Sequence, residues 1–113
     1  MDCIFCKIVN TEIPGEVLLR NEYVCAFRDV NPVAPTHVLI VPNKHVESME
    51  SLSTEDAYLA GKLLLAVKDV AHLENISDSG YRVIVNTGTD GHQEVQHLHI
   101  HVLGGAPMQH QLG

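Results

Sequence analysis

The segment Gln96-His97-Leu98-His99-Ile100-His101-Val102-Leu103-Gly104-Gly105 constrains this chain more than any other. Histidines and aliphatic residues alternate through it. A period of two is strand geometry, in which successive side chains face opposite sides of a sheet. Leu98, Ile100 and Val102 are therefore expected on a core face. His97, His99 and His101 are expected on the other, each about 6.7 Å along the strand from the next. Imidazole is both a nucleophile and a proton carrier near neutral pH, so three in register point to chemistry rather than packing.

The rest of the composition narrows that chemistry. A chain of 113 residues suits one domain, 1–113. Hydrophobic residues make up 45%, so a folded core is expected rather than disorder. No apolar run approaches a membrane span, and Met1-Asp2-Cys3 does not read as the start of a signal peptide, so no membrane partner is expected. Three cysteines cannot all pair within one chain, which favours a reducing, cytoplasmic setting. Net charge is -7, and no Lys or Arg occurs between Val83 and Gly113. Nucleic acid is excluded as a partner for that half, because it needs cationic side chains along a backbone. An anion beside the histidines must be held by imidazoles and backbone N–H groups, which suits one phosphate better than a polyphosphate.

Along the chain, Asp2 to Val9 reads as a short helix or turn carrying the pair Cys3-x-x-Cys6. Two packed thiols and half of a metal site both fit that pair. Val17 to Arg20 and Val24 to Asp29 predict a hairpin across Asn21-Glu22. Asn31 to Thr36 is a loop with Pro32 and Pro35. His37 to Val41 is an apolar strand ended by Pro42, and Val46 to Ser51 predicts a helical turn. Ser53 caps one long helix running to about His72, with Glu55 and Asp56 at its positive end. Its apolar stripe is Ala60, Leu63, Leu64, Val67, Val70 and Ala71. Gly80 to Asn86 is a further strand. The polar loop Thr87 to Gln93 then runs directly into the histidine segment, where its backbone N–H groups can meet an anion.

Two chemistries compete for the three histidines. They can chelate a metal, with Asp90 and Glu94 as further ligand or base. Alternatively one attacks phosphorus while the others supply protons and orientation, and His99 is the natural nucleophile because it has a histidine on each side. Spacing alone leaves both open.

His97-Leu98-His99-Ile100-His101-Val102-Leu103 resembles the H-x-H-x-H-x-x signature of the histidine triad (HIT) superfamily. The blocks Cys3 to Ile8, Ala26 to Pro32, Ala34 to Pro42, Gly80 to Val83 and Gly91 to Val95 look like family blocks in family order. The ending Gly104-Gly105 is similar to the Hint branch. The resemblance implies an α+β, HIT-like fold: a five-stranded antiparallel sheet, one long and one or two short helices on one side, and a sheet extended across a homodimer. It implies a purine nucleoside phosphoramidate hydrolase that acts on adenylated amines through a nucleotidyl-histidine intermediate. A nucleotide-binding regulator with weak turnover and a dinucleoside polyphosphate hydrolase are the alternatives.

The same resemblance assigns residues. His99 would attack phosphorus, His101 would hold the phosphate, and His97 and His37 would position His99. Asp29 would accept from the ribose hydroxyls, and Phe5, Phe27, Val30 and Ile40 would wall the purine. Asn86, His92, Gln93, Glu94 and Val95 would surround the phosphate. His92 departs from a frequent glycine, Glu94 from a serine, and Ala106 from an arginine. Some similar proteins hold a structural zinc; here its ligands would be Cys3, Cys6, His45 and His97. No cofactor would be needed for catalysis, since a covalent step through His99 removes the need for a metal.

Overall fold

The computed structural model describes residues 3–113. Five strands form one antiparallel sheet in the order β1-β2-β3-β5-β4. The strands are β1 Val17–Arg20, β2 Val24–Arg28, β3 Thr36–Pro42, β4 Tyr81–Ile84 and β5 Ile100–Gly104. The expected hairpin is β1–β2. The Asn21 side chain turns it by accepting from the N–H groups of Tyr23 (2.8 Å) and Val24 (2.9 Å), which is how Asn substitutes for a backbone acceptor in a tight turn.

β3 occupies the centre, and all seven of its residues are buried. Its alternating side chains feed two separate cores. Val38 and Ile40 face the long helix α2 (Ala57–Leu73), together with Val24, Ala26, Leu98, Ile100 and Val102. Leu39 and Val41 face the short helix α1 (Ile4–Val9), together with Cys25, Phe27, Phe5 and Ile8. The two helices thus cover opposite faces of the sheet, which corrects the expectation of helices on one side. Two faces need cover because residues 24–27 of β2 and 38–42 of β3 are apolar without a break, and a strand buried on both sides reads that way.

α2 begins after a 3-10 turn, Thr54–Asp56, where Asp56 Oδ2 accepts from the Ser53 N–H at 3.0 Å. Leu63, Ala66, Val67, Val70 and Ala71 face the core. Leu64, assigned to that stripe from sequence, is 66% exposed. It lies about 100° around the helix from Leu63, so both cannot face the sheet. Past the helix, Ile76 folds back until it touches β5. A Cβ on Gly104 would lie 2.7 Å from Ile76 Cδ1, so the first of the paired glycines is there to admit that side chain.

β5 begins at Ile100, not at His97. The alternation of Leu98, Ile100 and Val102 toward α2 holds, but the register with Leu39 and Ile84 includes only His101 of the three histidines. His97 lies in a bend before the strand. No helix among the described residues is long and apolar enough to cross a membrane.

Candidate active site

The α1 side of the sheet carries a cleft of about 760 Å³. Phe27 and Leu39 lie in its floor as cross-strand partners, and Ile4, Phe5 and Ile8 of α1 form a wall. Phe5 stacks edge-on against Phe27 (5.4 Å between centroids) and against His99 (5.1 Å). Asp29, Val30, Asn86, His92, Glu94, Val95, His99 and His101 complete the lining. The lining joins the apolar faces of Phe5, Phe27 and Leu39 to the imidazoles of His99 and His101.

Ile40 does not belong to this cleft. It is fully buried against α2, and its neighbour Leu39 takes the place assigned to it from sequence. Strand parity decides this: Leu39 pairs with Phe27, so the two share a face, whereas Ile40 pairs with Ala26. Gln93 is also absent from the lining. Its amide accepts from the Gly88 N–H (3.1 Å) and donates to the carbonyls of Glu47 (2.8 Å) and Val95 (3.0 Å), so it ties the loop together from beneath. Sequence reasoning missed Glu16 and Arg28, which also line the cleft. Arg28 is the one Lys or Arg lining it among the described residues, and its guanidinium is held by Glu16 and Glu74.

The backbone fixes the tautomers of His99, His37 and His97, and His37 in turn fixes that of His101, because a neutral imidazole carries one donor and one acceptor. His99 Nδ1–H donates to the His97 carbonyl at 2.7 Å, which leaves Nε2 with its lone pair. The Val33 N–H donates to His37 Nδ1 (3.1 Å), so His37 carries its proton on Nε2 and gives it to His101 Nδ1 at 2.9 Å. His101 therefore keeps a donor on Nε2. Asp29 Oδ2 lies 3.4 Å from His37 Nε2. Burial, then His99 and His37, lower His101 to about 4, so it stays neutral at physiological pH. Burial lowers His37 as well, against the opposing pull of Asp29.

His37 was expected to position His99; its ring instead reaches His101. His97 does hold His99, through its backbone carbonyl rather than its ring. That ring points into a second cluster. His97 Nδ1 lies 3.2 Å from Cys3 Sγ, 3.5 Å from Cys6 Sγ and 3.2 Å from His45 Nδ1, and Cys6 Sγ lies 3.4 Å from His45 Nδ1. All four donor atoms fall within 4.8 Å of one another. A tetrahedral zinc bonded to sulfur and nitrogen places its ligand atoms roughly 3.3–3.8 Å apart, so the set fits that ion. His97 Nε2–H donates to the Pro42 carbonyl at 2.9 Å, which directs the Nδ1 lone pair at the thiols, as second-shell partners of metal-bound histidines do.

Asp29, His37 and His101 also bring three metal-capable groups together. Here a metal on His37 Nε2 would displace a proton that has nowhere to go, since Nδ1 already accepts from Val33. That trio is a hydrogen-bond relay. Asp90 and Glu94, the carboxylates assigned from sequence to a metal, join neither cluster among the described residues.

The HIT domain model matches residues 10–108. The purine nucleoside phosphoramidase of Escherichia coli strain K12 is 41% identical over 107 residues, covering 95% of this chain and 90% of that protein. A HIT family hydrolase from Legionella pneumophila superposes with a TM-score of 0.93 at 42% identity, over 96% of each chain. A histidine triad protein from Clostridium difficile gives 0.95 at 41%, over 99% of this chain and 97% of that one. The chain belongs to the HIT family.

Proposed function

We propose that this protein is a purine nucleoside phosphoramidate hydrolase, one HIT domain spanning 1–113, that releases a nucleoside monophosphate from an adenylated amine. The observation that carries the reading is His99, whose Nδ1–H is anchored on a backbone carbonyl while it lines the cleft, so that Nε2 is the free nucleophile. The similarity to a named phosphoramidase supports the same leaving-group chemistry.

The purine lies between Phe5, Phe27, Leu39 and Val30, and Asp29 accepts from the ribose diol. Asn86, Glu94, Val95 and the backbone beside them surround the phosphate. His99 Nε2 attacks phosphorus, the P–N bond breaks, and the amine leaves with a proton from His101 Nε2. The His37 Nε2–H stays on His101 Nδ1 throughout and holds that ring in place. Water then attacks the nucleotidyl-His99 and its proton returns to His101 Nε2, which releases the monophosphate and restores the His99 Nε2 lone pair.

Zinc held by Cys3, Cys6, His45 and His97 would fix the N-terminus against the catalytic segment. No step of the reaction draws on it or on any other cofactor. A homodimer is supported by the exposed edge of β4, where Tyr81 and Val83 are each 39% exposed, and by Leu64 and Leu65 on α2. A cytoplasmic setting is supported by three cysteines without a disulfide. The dinucleoside polyphosphate reading is disfavoured because Arg28 is already paired with two carboxylates.

Steady-state hydrolysis of an adenosine phosphoramidate beside a diadenosine polyphosphate tests the reading. The phosphoramidate is expected to be the better substrate, and His99→Ala is expected to keep no more than a few per cent of kcat while still binding AMP. Tight AMP binding with no turnover by the wild type would favour a nucleotide-binding regulator.

A further inference from the structure

Loop 87–92 contains a backbone conformation that its sequence does not favour. His92 has φ 60°, in the left-handed region where a Cβ is disfavoured and glycine is relaxed. Gly88 (φ 70°) answers the same demand with glycine. Gly91 answers a different one, since a Cβ there would lie 2.6 Å from the Thr87 carbonyl oxygen. At 92 the loop carries an imidazole instead.

Nothing among the described residues uses that imidazole. The His92 backbone N–H donates to the Thr89 carbonyl at 3.0 Å, but among the described residues the ring has no hydrogen bond, ion pair or ring contact. His92 is exposed and lines the cleft with His99 and His101. Glu94, two residues further on and also exposed, lines the same cleft.

Beside the Asn86 amide and backbone N–H groups, the cleft has few side-chain donors for a phosphoryl group. Glu16, Asp29 and Glu94 all line it. Arg28 is held by Glu16 and Glu74. His99 commits Nδ1–H to His97 and reserves Nε2 for attack, and His101 commits Nδ1 to His37. One imidazole N–H remains with no assignment.

We propose that His92 is a catalytic residue whose ring N–H hydrogen-bonds a non-bridging oxygen of the transferring phosphoryl group and offsets the nearby Glu94 carboxylate. The proposal rests on the phosphoramidase reading and deepens it. Preorganised donors of this kind act where charge develops in the transition state.

The test compares His92→Gly and His92→Asn with the wild-type protein, using adenosine 5'-phosphoramidates of one alkylamine and one arylamine, AMP and adenosine. His92→Gly is expected to match or exceed the wild-type Tm, because glycine suits the backbone, while kcat/KM falls about 10-fold or more for both amines. AMP affinity should fall and adenosine affinity should not. His92→Asn, which tolerates the same backbone and restores an N–H, should recover part of both losses. Unchanged kcat/KM and AMP affinity in His92→Gly would overturn the proposal. So would a loss confined to one amine, which would make His92 a leaving-group contact. A lowered Tm with adenosine binding weakened alongside AMP would make it structural, and would also overturn it. If the wild-type protein left both phosphoramidates intact, the enzymatic reading would fail, yet the comparison of AMP with adenosine would still decide on His92.

Discussion

Asp29 shows how one side chain can serve two neighbours. Its Oδ1 accepts from the Asn31 N–H at 2.8 Å, which shapes the turn after β2, and its Oδ2 faces His37. A carboxylate repels phosphate but can accept from both hydroxyls of a ribose. Asp29→Asn is therefore expected to weaken ribonucleotide binding by about 1.5–3 kcal/mol, the range for a hydrogen bond to a charged group. Binding of the 2'-deoxy analogue should suffer less, measured by titration calorimetry on both sugars. Equal losses would return Asp29 to the turn alone. The wall of the cleft is less legible in the sequence. In β3, Leu39 and Ile40 are both apolar and both buried, so hydrophobicity does not say which face either serves. The partner does: once Phe27 is placed in the cleft, the antiparallel register puts Leu39 beside it and Ile40 behind it.

Among the elements, the strands were the most legible, because period-two alternation and the turn residues Asn21 and Pro42 are local signals. The α2 stripe was legible except at Leu64, where a leucine faces outward for a reason the helix alone does not contain. The partition of the three histidines was not legible. Their alternation is a property of one strand, whereas the turn of His97 away from the cleft depends on Cys3 and Cys6, brought from the other end of the chain by α1. The same docking makes a prediction. Zinc-reconstituted protein should hold about one zinc per chain by elemental analysis. Cys3→Ser should lose the metal and unfold at a lower temperature, since binding energy at such a site adds to folding energy. Most turnover should remain, because the His97 carbonyl holds His99 and the Pro42 carbonyl still holds the His97 ring. Activity that followed zinc content strictly would place the metal in the reaction.

At the scale of the whole molecule, the sheet has two unlike edges. β1 is irregular, with a register shift between Val17 and Leu19, which suits an edge that pairs with nothing further. β4 is regular, with Tyr81 and Val83 partly exposed, while α2, packed on β1, β2 and β3, leaves Leu64 and Leu65 in water. Multi-angle light scattering at micromolar concentration is expected to give twice the mass of one chain, and Val83→Lys is expected to shift it toward the monomer. A monomer mass for the wild type would sink the dimer. The contact of Cys3 with His97 spans 94 positions of a 113-residue chain. A ribosome makes residue 3 first and cannot offer it His97 until most of the protein exists. Local hairpins and α2 can form before then, but closing a loop of that length waits on the rest of the fold. The Cys3–His97 contact and the Phe5 wall are thus completed together and late. An incomplete chain can hold much of the sheet without having a working site, so competence for phosphoryl transfer arrives as the final event of its maturation.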